Sequence, residues 1–434
     1  MKHVSSARTF ITFLAAILVA FVTHAENWNQ YRGPNGDGKS QATNLPVEFS
    51  ETENVRWKTP IHDMGWSSPV VWDNQIWVTA AREDGSELFA ICVDLESGKI
   101  IHDIKVFDEA NPQVEYGNLN THASPTPVIE EGRLYVHYGT YGTACLDTKS
   151  GKILWERRDL NTDHVVRPAS SPILDGDSLI IVMDGLETKF ITALDKETGE
   201  TLWLTDRQAA PDPSAPSEAD GGKVPEQLKD INSKSYATPS VIEYQGLRQI
   251  VCPGHLGTFS YNADTGEELW RIRNIGWNVA CRPVFYDDLV YVTTGSARNL
   301  QAVRITGKGD VTDTHIVWSA GGRVSDLPSP LIIDGLLFMV SDQGGFTSCM
   351  DAKTGELIWR ERAPGGGTYW ASPSYADGKI YLISKNGSVT VISAGRQFDV
   401  LAENKLEGEF IASPAVADDA IILRSTTHLY CIAK

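Results

Sequence analysis

Apolar and polar positions alternate in short runs along most of the chain, with no helical periodicity between them. Prolines divide these runs. Ser68-Pro69, Thr126-Pro127, Ser171-Pro172, Thr238-Pro239, Arg282-Pro283, Ser329-Pro330, Ser372-Pro373 and Ser413-Pro414 each open a β-rich segment, giving eight anchors. Eight residues beyond seven of these prolines stands a β-former: Trp77, Tyr135, Ile180, Tyr291, Phe338, Tyr381 or Ile422. The fourth repeat is shifted by a longer turn at Tyr244-Gln245-Gly246. Between anchor and β-former lies a tight turn, such as Glu131-Gly132, Asp334-Gly335 or Asp377-Gly378, which is a hairpin signal. A proline fits at the first position of a strand because nothing there need donate to the ladder.

A second signature follows each hairpin. It reads Asp94 to Gly98, Asp147 to Gly151, Asp195 to Gly199 and Asp351 to Gly355, with Asn262 to Gly266 as a variant. Four residues after the glycine come Trp155, Trp203, Trp270 and Trp359, with His102 in the first repeat and Trp318 displaced by an insertion. Each repeat thus carries four strands and one large aromatic, and the fixed position of the tryptophans predicts that they pack between neighbouring units. The aspartates are expected to shape turns and not to hold metal. Four-stranded units recurring every 40 to 70 or so residues predict an all-β, eight-bladed β-propeller. The last repeat, opened at Ser413-Pro414, ends at Lys434 without its fourth strand, while Asn54 to Lys58 has that strand's character and no preceding partner. Pairing the two closes the ring and removes its exposed edges. The expected organisation is 1–25 as a signal peptide, 26–52 as an N-terminal arm and 53–434 as one propeller.

The Ser-Pro hairpin followed by Asp-x-x-Thr-Gly-x-x-x-Trp resembles the PQQ-like repeat family of eight-bladed propellers over nearly all of the chain after residue 25. That family includes quinoprotein alcohol dehydrogenases, which hold pyrroloquinoline quinone (PQQ) with Ca²⁺. It also includes the non-enzymatic lipoprotein of the outer-membrane β-barrel assembly machinery. The segments Asn27 to Pro34 and Asn120 to Pro125 resemble exported PQQ-like propellers abundant in planctomycetes and related bacteria. The resemblance implies either a binding or scaffold protein or a PQQ/Ca²⁺-dependent oxidoreductase acting on alcohols or sugars.

The remaining features concern address and charge. Lys2 and Arg8 precede an apolar run from Phe10 to Val22, and Thr23-His24-Ala25 offers a cleavage site. We therefore expect an exported protein, periplasmic or secreted, cut after Ala25 and lacking a later membrane segment. The first cysteine is Cys92, so no thiol is available for a lipid anchor near the cut. Lys plus Arg total 38 against 56 Asp plus Glu, a formal net charge of -18, which disfavours nucleic-acid binding. Cys92, Cys145, Cys349 and Cys431 recur in one register and so are expected to be buried and unpaired; Cys252 with Cys281 is the one pair worth testing. Gly33 to Ser40 matches the phosphate-loop pattern, but with Pro46 close behind it a Gly-rich turn is the expected structure.

Positions that depart from the repeat are the candidates for function. Five residues before the anchor proline, at one mouth of the channel, stand His122, Arg167, Lys234, Asn278 and Glu409; three before it stand Trp66, Tyr236 and Trp370. Arg282 replaces the usual Ser or Thr. Loops between second and third strands bring Arg298, Lys385, His255, His428, Asp184 and Asp342 to the same face, where the connections His102 to Thr121 and Asp206 to Ser235 also open. The basic members suit an anionic small molecule or the carboxylates of PQQ, the aromatics suit stacking or a glycan, and the whole mouth suits a protein partner. Asp184, Asn278 and Asp342 are suitable oxygen ligands for calcium. The adjacent Cys-Cys pair of the alcohol dehydrogenases has no counterpart here.

Overall fold

The computed structural model describes residues 26–113, 119–164, 166–186, 188–207, 234–273, 276 and 278–434. The expected signal segment and most of the connection between Asp206 and Ser235 lie outside them. Eight antiparallel blades follow in chain order, each with its strands in the sequence first, second, third, fourth from the channel outward. Blade 1 is Val70–Trp72, Gln75–Ala81, Glu87–Asp94 and Ile100–Asp108. The last of these strands extends through residue 108, so the connection expected from His102 to Thr121 begins only after it, and residues 114–118 of that connection lie outside the described residues. The first hairpin turns are built as the Asp-Gly pairs require: Asp334 and Gly335 have φ of 49° and 75°, and Asp377 and Gly378 have 50° and 75°.

Ring closure follows from the chain ends. Val55–Pro60 lies antiparallel to His428–Ile432, with Trp57 opposite Cys431, and becomes the outer strand of blade 8. Two short strands extend other blades in parallel: Lys39–Ser40 pairs with the first strand of blade 7, and Gly309–Asp310 with the fourth of blade 4.

Blades are joined by a repeated packing unit. The Asp94 carboxylate accepts from the backbone N and Oγ of Ser97 at 2.7 and 2.6 Å, and Asp147, Asp195 and Asp351 do the same for Ser150, Thr198 and Thr354. This fixes the glycine of the turn against the tryptophan of the preceding blade. A Cβ at Gly199 would stand 2.7 Å from Trp155, and one at Gly355 2.7 Å from Trp318. The indole N–H then donates across the interface: Trp57 to Leu95 O, Trp155 to Lys196 O, Trp318 to Ala352 O and Trp359 to Gly395 O, at 2.8 to 3.1 Å. Trp270 departs from this scheme. Its indole donates within its own blade to Gln249 Oε1 at 2.9 Å. His102, the histidine of the series, stacks on Trp77 at 5.6 Å and 10°.

A belt of side-chain hydroxyls ties the inner strands together. The backbone N–H of Ser68 donates to Thr126 Oγ1, Thr126 to Ser171 Oγ, Ser171 to Thr238 Oγ1, Arg282 to Ser329 Oγ, Ser329 to Ser372 Oγ, Ser372 to Ser413 Oγ, and Ser413 back to Ser68 Oγ, at 2.8 to 3.0 Å. The anchor Ser or Thr is therefore an acceptor for the previous blade. Arg282 has no hydroxyl to offer, and the belt is interrupted there.

Candidate functional site

The arm closes one end of the channel. It bridges blade 1 through Trp28 opposite Val71, gives Asn29 O to the N–H of Ile129 in blade 2, and crosses to blades 5 and 6. There Arg282 donates to Tyr31 O and to Gln30 Oε1, while Arg32 donates to Pro330 O. Tyr31 turns its ring into the channel, and its hydroxyl lies 3.0 Å from Ser372 Oγ. Gly33 to Ser40 forms turns and then the parallel strand on blade 7; no helix follows, so the phosphate-loop pattern has no helix terminus to offer.

Above this floor lies a cavity of about 320 Å³, open at the opposite mouth, whose walls come from all eight blades. Trp66, Tyr236, Asn278, Trp370 and Asp342 line it, together with Leu119, Ile411 and the belt hydroxyls of Ser68, Thr126 and Ser171. Trp66 and Trp370 meet edge to face, with ring centres 5.8 Å apart at 69°. Lys385 places its Nζ 4.0 Å from the centre of the Trp370 ring and 2.8 Å from Glu409 Oε1, so these two charged residues belong to the same corner of the mouth.

The other basic candidates take different places. Arg167 donates to Asn120 O at 2.9 Å. Lys234 is 1% exposed; its Nζ reaches His164 Nδ1 at 2.8 Å and donates to Arg167 O at 2.9 Å. Arg282, 2% exposed, belongs to the arm and the belt. His122 is buried against Tyr141 and Gly85, and burial, with the nearby Arg167 charge, pushes its pKa down to about 4. No lysine or arginine is among the described residues lining the cavity. Asp184 is buried beside Arg207, at 3.6 Å, away from the cavity lining, and burial raises its pKa despite that cation.

Sequence reasoning missed Asp326. It lies four residues before Pro330, one position out of the register used to select candidates, and it lines the cavity beside Asp342. Burial and the Asp342 charge push its carboxyl up to about 6, with Arg298 acting in the opposite sense. Arg298 donates to Asp342 Oδ2 at 3.3 Å. The Oδ1 atoms of both aspartates are buried and have no hydrogen-bond partner among the described residues. No group of three or more His, Cys, Asp or Glu side chains with metal-holding geometry occurs among the described residues.

These residues do not fit PQQ. A planar cofactor bearing several carboxylates would find no lysine or arginine in the described lining. The Ca²⁺ that goes with it, which takes about six to eight oxygen ligands, would have there only Asp326, Asp342 and the Asn278 amide, with no metal-holding group of three or more His, Cys, Asp or Glu among the described residues. All six cysteines are free and buried, including the proposed pair: Cys252 Sγ accepts from Arg207 at 2.7 Å, whereas Cys281 Sγ packs against Pro328 O at 3.3 Å.

Comparison with known proteins bears on the same question. A family model described as outer membrane protein assembly factor BamB matches residues 46–234 and 190–434. BamB of Legionella pneumophila (strain Paris) is 25% identical over 229 residues, 53% of this chain and 52% of the relative; the chain thus spans about half the length of that protein. Among solved structures, BamB from Moraxella catarrhalis superposes with a TM-score of 0.58 at 12% identity, covering 87% of this chain and 99% of the other. A europium-containing methanol dehydrogenase superposes with a TM-score of 0.67 at 12% identity, covering 93% and 90%. Those structural likenesses speak for the fold alone. The match of the family model over residues 46–434 and the eight Pro-anchored blades agree, and the chain belongs to the PQQ-like β-propeller family described as outer membrane protein assembly factor BamB.

Proposed function

We propose that this chain is an exported binding propeller that takes a ligand or a segment of a partner protein into its channel mouth, and that it has no redox cofactor. The observation that carries the reading is the cavity itself: aromatic walls contributed by several blades, a hydroxyl-lined interior and a floor formed by Tyr31. The Legionella relative's name, an assembly factor, favours a protein partner over a substrate. Oxidation of alcohols or sugars, the alternative, is disfavoured by the charge of the lining. The address follows from the amino-terminal pattern: cleavage after Ala25 would leave Glu26 first, and its Oε2 accepts from Ser40 Oγ at 2.6 Å and from the Gln41 N–H at 2.7 Å.

The test is site-specific photo-crosslinking in the native host, with the reactive residue at Ile411 in the mouth or at Leu204 on an outer strand. A discrete adduct from position 411, absent from position 204 and lost with Trp66→Ala, is the expected result. Equal labelling from both positions, or none from 411, would overturn the mouth as the binding site.

A further inference from the structure

The charge inside the mouth has the opposite sign to the one sought from the sequence. Two carboxylates, Asp326 and Asp342, line the cavity, each with a buried Oδ1 that has no partner among the described residues. Asp342 is 5% exposed, so that orphaned oxygen is held inside the protein. Arg298 bonds directly to Asp342 alone of the two, through Oδ2, and acts on Asp326 only by its charge; its side chain is 35% exposed. Buried polar atoms normally find a partner, and a carboxylate left without one carries a desolvation cost that a donor would relieve.

The aromatic walls match the same need. A cation over an indole face is attracted by the ring quadrupole. The protein already uses Trp370 in this way, with the Lys385 ammonium 4.0 Å from its ring centre. Trp66 and Tyr236 also line the cavity, and Asn278 offers an amide. A volume of about 320 Å³ is roughly ten times one water's share of liquid water, enough for a side chain with flanking backbone or a small amine, and far too little for a folded domain. The excess of 56 acidic over 38 basic residues would also draw cations toward the surface.

Resting on the binding reading above, we infer that the mouth recognises an ammonium or guanidinium group, with Asp326 and Asp342 accepting its hydrogen bonds and Trp66 with Tyr236 packing against its alkyl stem or charged face. The group is supplied either by a lysine or arginine side chain of a partner segment or by a free amine.

Calorimetric titration of the chain lacking residues 1–25 tests this with acetyl-Gly-Lys-Gly-amide, cadaverine, and the tripeptides carrying norleucine or glutamate in place of lysine. The lysine tripeptide should bind at least tenfold more tightly than the norleucine one, and the glutamate one should not bind. Cadaverine matching the tripeptide would assign recognition to the cationic head alone; weaker binding would assign part of it to the peptide, with the inference upheld either way. Asp326→Asn should weaken lysine-peptide binding tenfold or more and leave norleucine-peptide binding unchanged. Asp342→Asn should do the same if its melting curve is intact, and Asp326→Asn decides the matter if Asp342→Asn fails to fold. Equal affinity for lysine and norleucine peptides, or Asp326→Asn without effect, would overturn the charge assignment. If Trp66→Ala still abolished binding in that case, the mouth would stand as the site. No binding of either cationic probe at 10 mM, a concentration on the order of a very weak complex, would overturn the inference, and the crosslinking experiment would judge the mouth separately.

Discussion

The guanidinium of Arg282 reaches the main-chain carbonyl of Tyr31, 251 residues earlier in the chain. Seven blades place a Ser or Thr at this point and use it to receive the neighbouring blade's N–H. The fifth gives up that link and holds the arm instead, through Tyr31 O and Gln30 Oε1. Gly36 packs onto the same guanidinium so closely that a Cβ would stand 2.2 Å from its carbon, and the φ of +66° there also favours glycine.

Replacing Arg282 by methionine should therefore release the arm before it harms the ring. Three acceptors lose their donor, the partly buried Tyr31 carbonyl, Gln30 Oε1 and the Ser240 hydroxyl of blade 4, a loss on the order of 2 to 4 kcal/mol together. We expect a lower urea midpoint and faster amide exchange across residues 28–38 and at Ile129, whose N–H donates to Asn29 O, with exchange in the strands of blade 3 little changed. Uniform loss of protection around the ring would show that Arg282 supports the propeller and not the arm.

The belt makes a complementary prediction. Ser372 Oγ accepts from the Ser329 N–H and meets the Tyr31 hydroxyl. Ser372→Ala strands a buried N–H, at a cost of about 1 to 3 kcal/mol, whereas Tyr31→Phe removes one hydroxyl at a partly buried bond and should cost about 1 kcal/mol or less. Denaturant titration of both variants checks the order; a larger loss for Tyr31→Phe would refute it.

Ring closure by Val55–Pro60 predicts that deleting residues 26–59 is far worse than either. The deletion uncovers the backbone edge of His428–Ile432 and removes Trp57, whose indole donates to Leu95 O at 2.8 Å. The shortened chain should aggregate or melt well below the intact one; an unchanged melting transition would contradict the closure.

Much of this was legible in the sequence because repetition amplifies weak signals. One such turn means little, but three Asp turns and the Asn262 variant, each with a tryptophan four residues after the glycine, identify an interface. The arm had no such support: residues 27–40 occur once, without alternation, so nothing announced that Tyr31 would form the channel floor. The mouth was located by register, and register places a backbone without orienting a side chain. Trp66, Tyr236, Asn278 and Trp370 do line the cavity. Lys234, from the same positions, turns inward because His164 and the Arg167 carbonyl offer it partners that come from another part of the chain. Asp326 escaped notice for the converse reason, being one residue out of register.

The cysteines give a simple check on covalent structure. Burial raises the Cys252 thiol to about 11 and the Cys281 thiol to about 12, and each has a separate environment. Dithiothreitol should leave the melting temperature unchanged, and alkylation in denaturant without reductant should label all six thiols. Labelling of only four, with Cys252 and Cys281 the two unlabelled positions in a peptide map, would establish the Cys252–Cys281 disulfide that the structure lacks.

Acid stability should be governed by buried imidazoles. Burial lowers His122 and His137 to about 4, and burial with the Lys234 charge holds His164 well below the ordinary histidine value. In each case the unfolded chain takes up a proton near pH 6.5 that the folded chain refuses until near or below pH 4, so stability is lost as pH falls through that window. Two and a half pH units correspond to roughly 3 kcal/mol per histidine at full effect. Asp326 works the other way: its folded carboxyl takes a proton near pH 6, before the unfolded one does, so it adds stability as pH falls from about 6 toward 4. Asp184, whose carboxyl burial also raises, and the less buried Asp175 and Asp418 act in the same sense as Asp326; the three histidines, two of them lowered to about 4, outweigh them and leave a net loss. The urea midpoint should accordingly fall between pH 7 and pH 5, His137→Gln should flatten that slope, and Asp326→Asn should steepen it; a midpoint independent of pH, or a His137→Gln variant as acid-sensitive as the parent, would rule out the imidazoles as the cause.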